Sequence, residues 1–145
     1  MGVLATALDN LAAVTVSGVT SYPPDQTPDA LARSQLPALV ILPELGSESP
    51  GLEPNQFSAG DGRLTVEIAH VLLIAPVPAG LGLRGMLPTL ADAIDAYAAA
   101  LAADPTLGGA LPEALRFRVR AGVVRFGGVD YHGAVFTHTW TLHVS

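Results

Sequence analysis

The chain has no cysteine. It therefore has no disulfide framework and no thiolate chemistry, which fits a cytosolic protein or one indifferent to redox state. Charge is also scarce, at 14% of 145 residues. Asp and Glu outnumber Lys and Arg by 13 to 7, which gives a net charge of −6 and a pI of about 4.9. Such a surface does not attract nucleic acid as a whole, although a local basic patch is not excluded by the balance. No uninterrupted apolar run reaches the roughly 20 residues needed to span a bilayer. The nearest, Leu64 to Gly80, is broken by Glu67, His70 and two prolines. The N-terminus has no basic segment followed by an apolar core, so no secretory signal is read there.

Hydrophobic residues make up 50% of the chain. That excludes general disorder, and the length fits one domain, 1–145, with a substantial core. The longest helical pattern lies between Leu83 and Gly109. Leu83, Leu87, Leu90, Ile94, Tyr97 and Leu101 recur at steps of three and four and share one face. Pro88 is expected in the first turn, with 83–87 as an irregular lead-in or a kinked turn. Asp104-Pro105 stops the helix near Ala103, and Gly108-Gly109 permit a sharp reversal.

Before this helix, 2–14 reads as a first amphipathic helix, with Asp9 and Asn10 on its polar side. The proline-rich segment 21–28 cannot sit in a central strand, and 29–36 is expected to hold a helical turn capped by Thr27 or Asp29. Ala38 to Leu42 is a short buried strand, and 44–62 is expected to be a long polar loop, either a plain hairpin loop or an arm ordered against a neighbouring subunit. Strands follow at 63–75, 115–126 and 132–144, the last two joined as a hairpin through Gly127 to Asp130. The expected fold is α+β, in the order helix-strand-strand-helix-strand-strand. An antiparallel or mixed sheet of about four strands would have helices packed on one face.

Catalytic and ligand-binding patterns are sparse. His138 and His143 point to opposite faces of one strand, and His132 lies about 20 Å from His138, too far to share a metal. Hydrogen-bonded sheet histidines are the better account. No serine sits in a G-x-S-x-G elbow. The phrase GLGLRG at 80–85 spells a dinucleotide fingerprint, but the position about 20 residues on, where that motif needs an acid ending a second strand, falls inside the same helix. Asp92 and Asp95 read as a solvated helix face. Arg116, Arg118 and Arg120 lie on one side of a strand, with Arg125 nearby. They read either as a solvated face or as a charged contact with a neighbour's acidic residues, such as those between Glu44 and Glu53 or Asp92 and Asp95. A phosphate contact is the weaker reading, because so few basic residues are involved.

The order of pieces carries a resemblance. An N-terminal helix is followed by a P-A-L-V-I-L-P strand, a polar loop, and an alternating strand. An Ala/Leu helix then ends at Asp104-Pro105-Thr106-Leu107-Gly108-Gly109, and a hairpin contains Gly128-Val129-Asp130-Tyr131-His132-Gly133. From about Leu4 to Val144 this resembles the tail-terminator and tail-completion proteins of long-tailed bacteriophages and prophages. The resemblance implies a structural virion protein with no enzymatic activity, no catalytic residues, no metal and no cofactor. Its implied partners are copies of itself in a ring, first of all a hexamer, together with the tail tube protein and the head–tail connector proteins. DNA would pass through the pore without sequence-specific binding, and no membrane is involved. The implied location is the tail or neck of a virion assembled in the host cytoplasm. Arg116, Arg118, Arg120, Glu44, Glu48, Glu53 and Phe57 are the expected subunit or tube contacts. Another neck or tail component, either a connector or a tube protein, is the alternative. A small ligand-binding domain using the GLGLRG loop is a further one.

Overall fold

The computed structural model describes residues 2–42, 52–58, 61–77 and 83–144. Two helices and a mixed sheet form one α/β unit. Helix α1 is Val3–Ala12 and α2 is Leu83–Ala102. The strands are β1 Thr20–Ser21, β2 Ala38–Leu42, β3 Leu52–Ser58, β4 Asp61–Pro76, β5 Arg116–Phe126 and β6 Val129–Val144. The order across the sheet is β1-β2-β4-β6-β5, with β3 paired to β4 beyond the end of β2. The pair β1–β2 is parallel and the others are antiparallel.

The expected count of about four strands is therefore corrected to six among the described residues. One addition is β1, only two residues long. The other, β3, lies inside the expected loop 44–62. Its sequence, LEPNQFS, is weak in strand formers, and its pairing with β4 supplies what local propensity does not. Residues 43–51 lie outside the described residues, as do 59–60 and 78–82.

The long strands β4 and β6 form the axis of the sheet, in register from Gly62 opposite Val144 to Pro76 opposite Tyr131. Alternation along them divides the sheet into two faces. On the first face, Val66, Ile68, Leu72, Phe136, Trp140 and Leu142 are buried beneath both helices. Residues Ala7 and Leu11 of α1 and Met86, Leu90, Tyr97 and Leu101 of α2 complete that core. Two details of α2 differ from the expected pattern. Leu87 is 55% exposed, and Met86 takes the buried place. The helix starts early enough that Pro88 falls beyond its first turn, where it withholds an N–H from the carbonyl of Arg84.

The helix ends at Ala102, as Asp104-Pro105 requires, and the turn that follows is anchored from two sides. The carboxylate of Asp104 accepts the N–H of Gly108 at 2.8 Å. The side-chain amide of Asn10 donates to the carbonyl of Leu107 at 2.7 Å. Leu107 itself is fully buried although its φ is +50°. Asn10, expected on a solvated side, thus ties α1 to the end of α2.

The second face is covered over only half its length. Val40, Val71, Leu73, Val124, Phe126, Tyr131 and Val135 form a second core, capped by Tyr22, Leu31 and Leu36 from the segment 21–36, which begins with the prolines. That segment contains two short 3-10 turns, Pro24–Gln26 and Arg33–Gln35. The second turn begins at Ala32, whose N–H donates to Gln35 Oε1 at 2.7 Å, so neither Thr27 nor Asp29 caps it. The β5–β6 connection is a two-residue turn at Gly127-Gly128, both with positive φ. Consequently β6 starts at Val129, earlier than the pattern of residues indicates.

Gly133 sits opposite Leu73, next to the register shift between Leu73 and Ala75. A Cβ at 133 would collide with the main-chain carbonyl of Leu72. Gly133→Ala is therefore expected to destabilise the fold by at least about 1–3 kcal/mol, the usual range for overpacking. Urea unfolding checks this, and a midpoint equal to that of the parent would contradict it.

Candidate functional site

Two polar arrangements stand apart from the apolar packing. The first is the uncovered half of the second face. Register places Arg116 opposite Thr139, Arg118 opposite Thr137 and Arg120 opposite Val135. Across β6, the partners on β4 are Glu67, Ala69 and Val71. All three arginines are exposed, as is Thr139, while Thr137, Thr141, Thr65 and Glu67 are partly covered. Among the described residues none of these arginines forms an ion pair. The one ion pair seen there joins Arg125 to Asp130 at 3.5 Å across the hairpin, and at 70% and 48% exposure it contributes little.

Strand β5 is also an edge of the sheet, with its outer main-chain groups unpaired among the described residues. On its helix-side face Val119 and Val123 are 44% and 61% exposed, because α2 reaches β6 but does not extend over β5 beyond Phe117. The strand thus offers arginines on one side, valines on the other and free backbone between them. Sequence alternation alone places the arginine row; the open edge beside it becomes visible only with the strand order.

Of the other expected contact residues, Glu44 and Glu48 lie outside the described residues. Glu53 and Phe57 fall on β3, opposite Thr65 and Gly62. They are at the far edge of the same sheet from β5, so one copy of the chain does not bring the arginine row and these positions together. Asp92 and Asp95 are exposed on α2, in keeping with a solvated face.

The second arrangement is buried. Tyr97 descends from α2 between two strands, and its hydroxyl lies 2.9 Å from His70 Nδ1 and 2.6 Å from His138 Nε2. Its ring stacks on Phe136 at 3.7 Å between centroids. Both histidines and the tyrosine are almost fully buried. A phenol has one proton and two lone pairs, so it donates to one imidazole and accepts from the other. Burial keeps both rings neutral, and because Nδ1 of one and Nε2 of the other face the hydroxyl, the two rings hold the same tautomer. Burial lowers His70 to a pKa of about 3, helped by the nearby His138, and lowers His138 to about 4. Burial also raises Tyr97.

Among the described residues, the outer nitrogens, His70 Nε2 and His138 Nδ1, and the indole Nε1 of Trp140 have no hydrogen-bond partner. Spacing along the chain cannot reveal this network, because its members meet only across a strand pair and a helix. The available signal was a tyrosine in an apolar helical stripe, whose hydroxyl requires a buried partner. Among the described residues no cluster of three His, Cys, Asp or Glu side chains is suited to hold a metal ion. His143 lies on the opposite face from His138, as alternation requires.

Compared with known proteins, the chain matches no family model, and no curated protein is significantly similar to it.

The buried network is expected to make the fold acid-sensitive. In the unfolded chain both histidines bind protons near their usual pKa of 6.5, whereas in the folded chain they resist protonation down to about 3 and 4. The unfolded state therefore binds more protons between these limits, and stability falls as pH drops from about 6.5 towards 4. Thermal melts across that range should show the decline, and His138→Gln should flatten it. Tyr97→Phe leaves both facing imidazole nitrogens unsatisfied and is expected to cost about 1–3 kcal/mol at pH 7. Arg118→Ala, in contrast, should change stability by less than about 0.5 kcal/mol in urea titration, since the side chain is exposed and forms no ion pair among the described residues.

Proposed function

We propose that this chain is a structural subunit of a phage tail, a ring-forming terminator that caps the tail tube and joins it to the head connector. The observation that carries the reading is the β5 strand: an open edge flanked by an arginine row and exposed valines, suited to meeting another folded surface. The resemblance in the order of pieces, from the first helix to the D-P-T-L-G-G phrase and the Gly-rich hairpin, supports the same reading. The buried histidine–tyrosine network is consistent with it, because that polar chemistry is enclosed beneath α2 and contributes to packing.

On this reading, copies of the chain form a ring, with a hexamer as the working expectation, and DNA passes through its centre with contacts that are not sequence-specific. The ring contacts the tube protein on one side and the connector on the other. The site of action is the tail or neck of the virion, and assembly takes place in the host cytoplasm.

The test adds the purified chain to polymerising tail tube protein from a genome that carries it, with electron microscopy of the products. Tubes of bounded length with a ring on one end are expected. Tubes whose length and ends are unchanged by the chain would overturn the proposal. Incorporation of the chain along the whole tube wall would instead identify a tube protein.

A further inference from the structure

The proposal above leaves open which surfaces join one subunit to the next. We infer that copies associate head to tail by strand addition, with the β5 edge of one copy pairing with the β3 edge of the next. This rests on the ring reading and specifies its interface.

The two edges match on both faces. Along β5, Arg116, Arg118 and Arg120 lie on the second face, and Val119, Ala121 and Val123 on the helix side. Along β3, register with β4 places Glu53, Gln56 and Ser58 on the second face. The same register places Leu52, Pro54 and Phe57 on the helix side. A continuous sheet through both copies keeps faces aligned. It therefore sets the positions of Arg116, Arg118 and Arg120 on the same face as positions 53, 56 and 58 of the next copy, and the exposed valines on the same face as positions 52, 54 and 57. The seven residues of β3 fit within the eleven of β5.

The arginines protect the β5 edge against another positive strand but not against an acidic one. Folded proteins commonly protect edges with lysine or proline. This chain has no lysine, and β5 contains no proline. β3 carries Pro54, which withholds only one donor.

Charge also selects between the two ways in which copies can meet. A symmetric β5–β5 pair centred on Arg118 would set Arg118 beside its own copy and Arg116 beside Arg120, all on one face. Like charges in those positions destabilise a strand pair. Head-to-tail pairing avoids this clash. A heterologous contact of that kind also closes into a ring when the rotation per step permits.

The experiment uses the full chain and two charge-reversed forms, R116E/R118E/R120E and Glu53→Arg. Light scattering over a concentration series gives the mass, and amide hydrogen exchange follows residues 116–126. The wild-type chain should form a discrete multimer in which exchange over 116–126 slows as assembly proceeds. Each variant should melt like the wild type yet dissociate at concentrations at least tenfold higher, and an equimolar mixture should recover assembly because opposite charges again face each other. A wild-type multimer that the reversals leave intact, with exchange over 116–126 unchanged, overturns the edge assignment and leaves the ring reading standing. A wild-type chain that is monomeric at every concentration overturns this self-association, and the tube-capping assay then judges the ring reading on its own.

Discussion

The pairing of β4 with β6 is the constraint on which the rest of the structure depends. The two strands are each sixteen residues long and stay in register over almost their whole length, with one shift near Leu73. Every other strand except β1 attaches directly to one of them: β2 and β3 to β4, and β5 to β6. Because alternation is strict, this one register decides which residues meet the helices and which meet the 22–36 segment. A slip by one residue would exchange the two faces, exposing Phe136 and Trp140 and burying Thr137 and Thr139. Close approach at Gly133 helps to pin the register, since no side chain fits against Leu72 there.

Apolar burial alone would let α2 slide along the first face, since dispersion and hydrophobic contacts have little direction. The Tyr97 hydroxyl supplies direction. His70 and Phe136 are paired across β4 and β6, and so are Ile68 and His138. The two histidines therefore stand diagonally on neighbouring strands, with the phenol placed to reach both. The arrangement replaces water around three polar groups with two short hydrogen bonds, which keeps the net cost of burial low only while the imidazoles remain neutral. The outer nitrogens find no partner among the described residues, so the hydroxyl satisfies only the inner side of each ring. Specific placement of the helix and acid sensitivity thus come from the same side chains.

Much of this was legible in the residues. Alternation along 115–126 separates Arg116 from Phe117 correctly, and Asp104-Pro105 ends α2 within a residue of the observed stop. Both helices and the four longer or more apolar strands follow from periodicity. What stayed hidden depends on partners distant in sequence. The strand β3 has a composition typical of loops and forms through its pairing with β4. Leu87 belongs to the helical stripe by spacing, yet it is exposed while Met86 beside it is buried. Asn10 looks solvated on a helical wheel and instead caps a turn nearly a hundred positions away. The His70–Tyr97–His138 bridge needs the inter-strand register, which spacing along one strand cannot supply. The arginine row was visible as a row, but its place on an open edge required the strand order.

That place gives the distribution of charge a physical meaning. Four of the seven basic residues, Arg116, Arg118, Arg120 and Arg125, lie on the single strand β5. The remainder of the chain then holds three arginines against thirteen acidic residues, so it is more acidic than the net charge of −6 conveys. Two such molecules repel each other in most orientations and attract when β5 of one approaches an acidic surface of the other. Attraction of this kind is screened over roughly 8–10 Å at physiological salt, so it acts only as the strand edge nears its partner. In the proposed ring, charge would therefore favour an oriented encounter, and backbone pairing and the exposed valines would provide contact once the edge had docked. An edge with mixed or scattered charge would offer the same hydrogen bonds with no preferred partner or direction. Segregating the arginines onto one edge would make the proposed association directional, as a ring of identical subunits requires.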